Sequence, residues 1–75
     1  MTVEARLEAG IYALNRFLLT VQNKRMPVSD LRAHMQEGET TVVFTFDCPE
    51  ENARRYMILL ENLEDVLTVG EVEKS

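Results

Sequence analysis

From Thr2 to Leu7 apolar and polar positions alternate. Val3, Ala5 and Leu7 fall on one side; Thr2, Glu4 and Arg6 fall on the other. A period of two predicts a strand with one covered face. Glu8-Ala9-Gly10 interrupts it, and from Ile11 the period changes. Leu14, Phe17, Leu18 and Val21 stand at i, i+3, i+4 and i+7, one stripe of a helix, with Asn15, Arg16, Gln22 and Asn23 off the stripe. Lys24 and Arg25 place positive charge in the last turn, where the helix dipole favours it. Pro27 then forbids continuation.

Alternation returns from Val28 to Gln36, with Leu31, Ala33 and Met35 against Asp30, Arg32 and His34. Glu37-Gly38-Glu39 is a turn signal, because Gly38 can take a positive φ. Thr40 to Asp47 predicts a further strand. Val42, Phe44 and Phe46 share one face, and β-branched and aromatic residues suit a pleated surface. Asp47-Cys48-Pro49-Glu50-Glu51 has the make-up of a helix start: a capping acid or thiol, proline in the first turn, and acids at the positive dipole end. Ala53, Tyr56, Met57 and Leu60 form the second stripe, continued by Leu63. A last strand follows from Val66 to Val72, with no Gly or Pro at the junction.

The order is βαββαβ, the ferredoxin-like α+β arrangement. Two helices with one apolar stripe each would cover one face of a four-stranded antiparallel sheet. Right-handed crossovers predict the spatial order fourth, first, third, second. The second strand, Val28 to Gln36, is then an edge with unpaired N–H and C=O groups. Asp30, Arg32 and His34 on it become candidates for a dimer interface. The sheet face away from the helices carries Val43 and Val72 among Thr, Arg and His, mixed enough that something could cover part of it.

Length and charge narrow the function. The 75 residues make a single domain, 1–75. A chain this short buries only about 60% of its unfolded surface. One cysteine and no Cys/His cluster exclude a disulfide framework or a structural zinc site, which leaves a partner chain as the source of extra stability. Eight basic residues against thirteen acidic ones give a net charge of −5, which disfavours nucleic acid. No apolar run approaches the roughly 20 residues of a membrane span. The start, MTVEARLEAG, does not read as a signal peptide. With a free thiol, this points to a reducing cytoplasm.

No catalytic set stands out, and no cofactor or metal is expected. His34 and Cys48, the only histidine and cysteine, are placed at a strand middle and at the far end of the next strand. Phe44 and Phe46 share a face with Val42, which reads as covered core rather than a base-stacking surface. The acids Glu50-Glu51 and Glu61-Glu64-Asp65 read as solvated helix ends. Two loops remain. Backbone N–H groups at Glu8, Ala9, Gly10, Ile11 and Tyr12 could hold a small carboxylate at the first helix start. The Lys24–Val28 turn, with Pro27 and Val28, would approach them across a dimer paired through second strands. The alternative is a pair of ordinary turns.

In two stretches the chain resembles the ACT domains, small regulatory modules of amino-acid metabolism. "LENLEDVLTVGEV" is similar to the pattern in which a helix ends in a Leu-x-Asp-Val turn and runs into a Val-rich last strand. "ALNRFLLTVQNKRMPVSDL" resembles the first helix and second strand of that family, through Leu14, Arg16, Phe17, Val21, Met26 and Val28. Within the family the likeness is greatest to the small subunits of acetolactate synthase, and it covers nearly the whole chain. The resemblance implies a non-catalytic homodimer, paired through second strand and first helix. It implies a large, thiamine-dependent catalytic subunit as partner, which the small subunit stabilises or activates. It also implies a branched-chain amino acid between the first loop of one chain and the helix-to-strand turn of the other. The ligand loop departs from the family pattern. Tyr12 stands in place of Gly, Ala9 in place of Asp or Asn, and Pro27 in place of Asn. Tyr12 is expected to crowd a backbone-bound ligand, and Pro27 to remove a donor. A free-standing amino-acid sensor is the alternative function.

Overall fold

The computed structural model describes residues 1–72. Its elements are β1 (Thr2–Glu8), α1 (Ile11–Asn23), β2 (Val28–Gln36), β3 (Glu39–Phe46), α2 (Glu50–Glu61) and β4 (Val66–Glu71). The strands form one antiparallel sheet in the order β2-β3-β1-β4, as the crossover rule predicts, and both helices lie on one face of this ferredoxin-like α+β fold. No helix among the described residues is long and apolar enough to cross a membrane.

Alternation is cleanest where both neighbours of a strand are strands. Val3, Ala5 and Leu7 of β1 and Thr40, Val42, Phe44 and Phe46 of β3 are buried on the helix side. They pair directly, Val3 with Phe44, Ala5 with Val42 and Leu7 with Thr40. An aromatic chain crosses the layers above them. Phe17 of α1 meets Phe44 edge-on with centroids 5.6 Å apart. Phe44 meets Phe46 the same way at 5.1 Å, and Phe46 stacks on Tyr56 of α2 at 5.7 Å. Ala53 and Leu60 complete the floor of α2.

The first helix is rotated from its expected stripe. Ala13, Leu14 and Phe17 are buried and Val21 is half-buried, whereas Leu18 is 37% exposed. The small Ala13 allows α1 to lie close to the sheet, and that tilts Leu18 outward. The helix ends differently too. Lys24 is the C-cap and neither basic residue lies in the last turn. Arg25 takes φ 52°, its N–H donates to the Gln22 carbonyl at 3.1 Å, and the Met26 N–H donates to Val21 at 3.0 Å. This is a Schellman ending with arginine where glycine is usual, closed by the buried Met26 over Val21. Arg25→Gly therefore removes left-handed strain. It is expected to raise stability by about 0.5–1 kcal/mol, read as a shift in the urea midpoint with unchanged slope.

The second helix is capped by Pro49 at φ −57°, ψ 147°, not by a side chain of Asp47 or Cys48. The Asn52 and Ala53 N–H groups donate to the Pro49 carbonyl, and Glu50 and Glu51 occupy the first turn as expected. The tight junction into β4 is held from outside. Arg16 of α1 reaches Asp65 at 3.4 Å and Glu64 at 3.6 Å, and the Glu8 N–H donates to the Asp65 carbonyl at 2.9 Å. These contacts fix the turn where neither Gly nor Pro marks it.

Candidate functional site

The β1–α1 loop turns through Gly10 at φ 106°, a conformation that favours glycine. No side chain caps α1 behind it, so the first N–H groups of the helix stay open. Beside this loop Thr40, paired with Leu7, is fully buried and its hydroxyl has no partner. A buried hydroxyl without a hydrogen bond costs roughly 1–3 kcal/mol. Thr40→Val, which keeps the shape and removes the hydroxyl, is expected to raise stability by about 1 kcal/mol in urea unfolding. A drop instead would reveal a partner for the hydroxyl.

The loop residues are not equally available. The Glu8 N–H is taken by Asp65, and the Val28 N–H by the Met26 carbonyl at 3.0 Å. The Pro27 carbonyl accepts from the Asp47 N–H at 2.7 Å. Ala9, Gly10, Ile11 and Tyr12 lie exposed. Tyr12 is 86% exposed, so within one chain its ring is not packed against the loop. Glu8 and Glu39 lie directly opposite on one sheet face, two like charges that work against anion binding at that corner. Within a chain, the two loops sit at opposite ends of the 13-residue α1, about 20 Å apart. One molecule does not bring them together.

The other expected surface is the β2 edge. Asp30, Arg32 and His34 are exposed on the open sheet face, aligned with Thr45, Val43 and Thr41 of β3. The register slips by one residue at Ser29, so Val28 rejoins Phe46. On the helix side the edge is apolar. Leu31 is half-buried, Met35 is 50% exposed, and Ile11 and Leu18 line the neighbouring flank of α1, turned away from Arg16. Sequence reading placed Leu18 in the core and did not expect Ile11 and Met35 to stand exposed beside the β2 edge. The excess of large apolar positions on α1 over what one face can bury is the signal that could have found them.

His34 lies near the hairpin, opposite Thr41, while Cys48 follows the far end of β3. Seven positions of strand put about 20 Å between them, so they do not form a pair. Among the described residues no group of three or more His, Cys, Asp or Glu is placed to hold a metal ion. Comparison with models of known protein families gives no match, and comparison with curated proteins gives none either.

Proposed function

We propose that this chain is a non-catalytic ACT-type regulatory subunit. It pairs with a second copy through β2 and the adjoining flank of α1, and it stabilises or activates the catalytic subunit of acetolactate synthase. The observation that carries the reading is the β2 edge itself: nine residues of open strand with Leu31, Met35, Ile11 and Leu18 beside it. Two copies joined there antiparallel would make one eight-stranded sheet and bury apolar side chains from both. The sequence resemblance supplies the partner. Arg16 and Asp65, two of the residues that carry it, meet at 3.4 Å. The test is co-expression with an acetolactate synthase catalytic subunit. A complex that co-elutes on gel filtration and turns over faster than the catalytic subunit alone is the expected result. Separate elution with unchanged turnover overturns the reading.

One observation favours an amino-acid sensor as the second reading: the uncapped start of α1 beside the buried, unpartnered Thr40 hydroxyl. Calorimetric titration with valine, leucine and isoleucine decides it. Heat that saturates at one ligand per chain, two per symmetric dimer, supports a sensor, and no heat with any of the three removes it.

A further inference from the structure

Hydrogen bonding inside the sheet decides which groups of the β2 edge face outward. Phe46 and Met1 exchange bonds: the Phe46 N–H donates to the Met1 carbonyl at 2.9 Å, and the Met1 amine donates to the Phe46 carbonyl at 3.5 Å. The direction alternates along an antiparallel strand, so Phe44, Val42 and Thr40 also turn to β1. Thr45, Val43, Thr41 and Glu39 then turn to β2, where they meet Asp30, Arg32, His34 and Gln36. The N–H and C=O groups of Leu31, Ala33 and Met35 are left pointing away from the sheet, and their side chains lie on the helix side.

A second copy paired antiparallel must set outward groups against outward groups. The registers with the most overlap place the two-fold axis at Arg32, Ala33 or His34. Pairing about Arg32 opposes two guanidinium groups and sets Met35 against Ser29, where the strand is irregular. Pairing about His34 sets Leu31 against the hairpin turn at Glu37. Pairing about Ala33 matches the regular stretch, residues 30–36, over its whole length and satisfies every outward group. Half-buried Leu31 then meets the partner's Met35 on the helix side. On the open face His34 lies directly across from the partner's Arg32, and Asp30 across from the partner's Gln36.

We propose that the β2 edges pair about Ala33, and that the pair loosens in acid because each His34 then faces the partner's Arg32 as a second cation. The inference rests on the side-by-side pairing proposed above and adds its register and its regulation. Histidine is the side chain that changes charge between about pH 5 and 8. Within the chain, Arg32 and Gln36 flank His34 on its own strand, and Thr41 lies opposite, with Glu39 and Val43 on the diagonals. Beyond Thr41 lies Arg6, paired with Glu4 at 3.2 Å. These groups surround His34 in monomer and dimer alike, so they do not bias the equilibrium between the two. Pairing adds the partner's Arg32 directly opposite, and the partner's Asp30 and the partner's His34 on the diagonals. Direct neighbours lie about 4.5–5.5 Å apart and diagonal ones about 7–8 Å. The nearer cation outweighs the diagonal carboxylate, and the second imidazole adds to it once protonated. The dimer therefore binds fewer protons than two monomers, and its stability falls as pH falls.

The test is the dissociation constant of the full chain, measured by sedimentation over a dilution series between about pH 8 and about pH 5.5. Weakening by about fivefold is expected on acidification. His34→Gln should flatten the profile. Arg32→Glu, which sets a carboxylate across from the imidazole, should reverse its slope. Both positions are exposed, so circular dichroism should show an unchanged fold. At the higher pH the Leu31, Ala33 and Met35 amides should exchange more slowly in the dimer than in the dilute monomer. A dimer with protected amides but a flat profile, or with the same slope in Arg32→Glu, overturns the proposal and leaves the side-by-side reading standing. So does tightening of the parent in acid, the sign expected for pairing about Arg32, where Asp30 meets the partner's His34. A monomer at every pH, or a dimer without that protection, overturns both.

Discussion

Phe44→Ala is expected to leave this chain at the edge of unfolding at room temperature, with a thermal midpoint lowered by about 20 °C or more. Phe44 is 1% exposed and touches the aromatic rings of Phe17 and Phe46, so it joins α1 to β3 and, through Phe46 and Tyr56, to α2. Truncating a buried phenylalanine costs roughly 3–5 kcal/mol, including the cavity that stays behind. The lost edge-on geometry adds about 0.5–1.5 kcal/mol for each ring pair. A domain of 75 residues has only roughly 4–11 kcal/mol in total. The change therefore consumes much of its stability, and no second core compensates. Circular dichroism against temperature reads the effect. Tyr12→Ala, at an exposed site, is the control and should move stability by less than about 0.5 kcal/mol. A cooperative transition within a few degrees of the parent would mean that the core repacks around the missing ring.

The second large effect concerns association. Leu18→Lys combined with Met35→Lys is expected to convert the proposed dimer to monomer while leaving the fold intact. Both side chains are already partly in water, Leu18 on the outer flank of α1 and Met35 near the end of β2, so neither lysine is forced into the core. In a side-by-side pair both become covered, twice per dimer by symmetry. Burying such a side chain is worth about 1.5–3 kcal/mol. Only half or less of each side chain is left to cover, so losing all four weakens association by roughly two to four powers of ten. Light scattering over a dilution series gives the mass, and circular dichroism checks the fold. A parent chain that is monomeric at every concentration, or a double variant that stays dimeric, removes β2 and α1 from the interface.

The sheet order and the four strands were legible because β1 and β3 are central. A strand flanked by strands, with helices over one face, has its side chains sorted by the pleat alone, so the period of two is strict. Edges read less well. Ala33 and Met35 alternate correctly, yet they are exposed, because the helix layer does not extend over the outer half of β2. The α1 stripe was misplaced by part of a turn for a related reason. Leu18 is more apolar than Ala13, but closeness to the sheet selects the smaller residue. At the candidate ligand loop, the bonds that occupy Glu8 and Val28 come from Asp65 and Met26. One is long-range and the other depends on a left-handed Arg25, so neither leaves a local pattern. Tyr12 is 86% exposed at the first turn of α1, an exposure that its place in the sequence pattern did not announce.

The strand order carries a consequence for how the molecule opens. β1 lies between β3 and β4, so the middle of the sheet joins its first strand to its last. Pairings so distant in sequence form late and break together. Amides at Ala5 and Leu7 should exchange with solvent only when the whole domain comes apart. β2 hangs on one neighbour by a two-residue hairpin at Glu37 and Gly38, with its far side free. It can peel away on its own at a fraction of the global free energy. The edge assigned to pairing is thus also the part of the sheet with the least private stability, and assembly would be felt first as the silencing of that local motion.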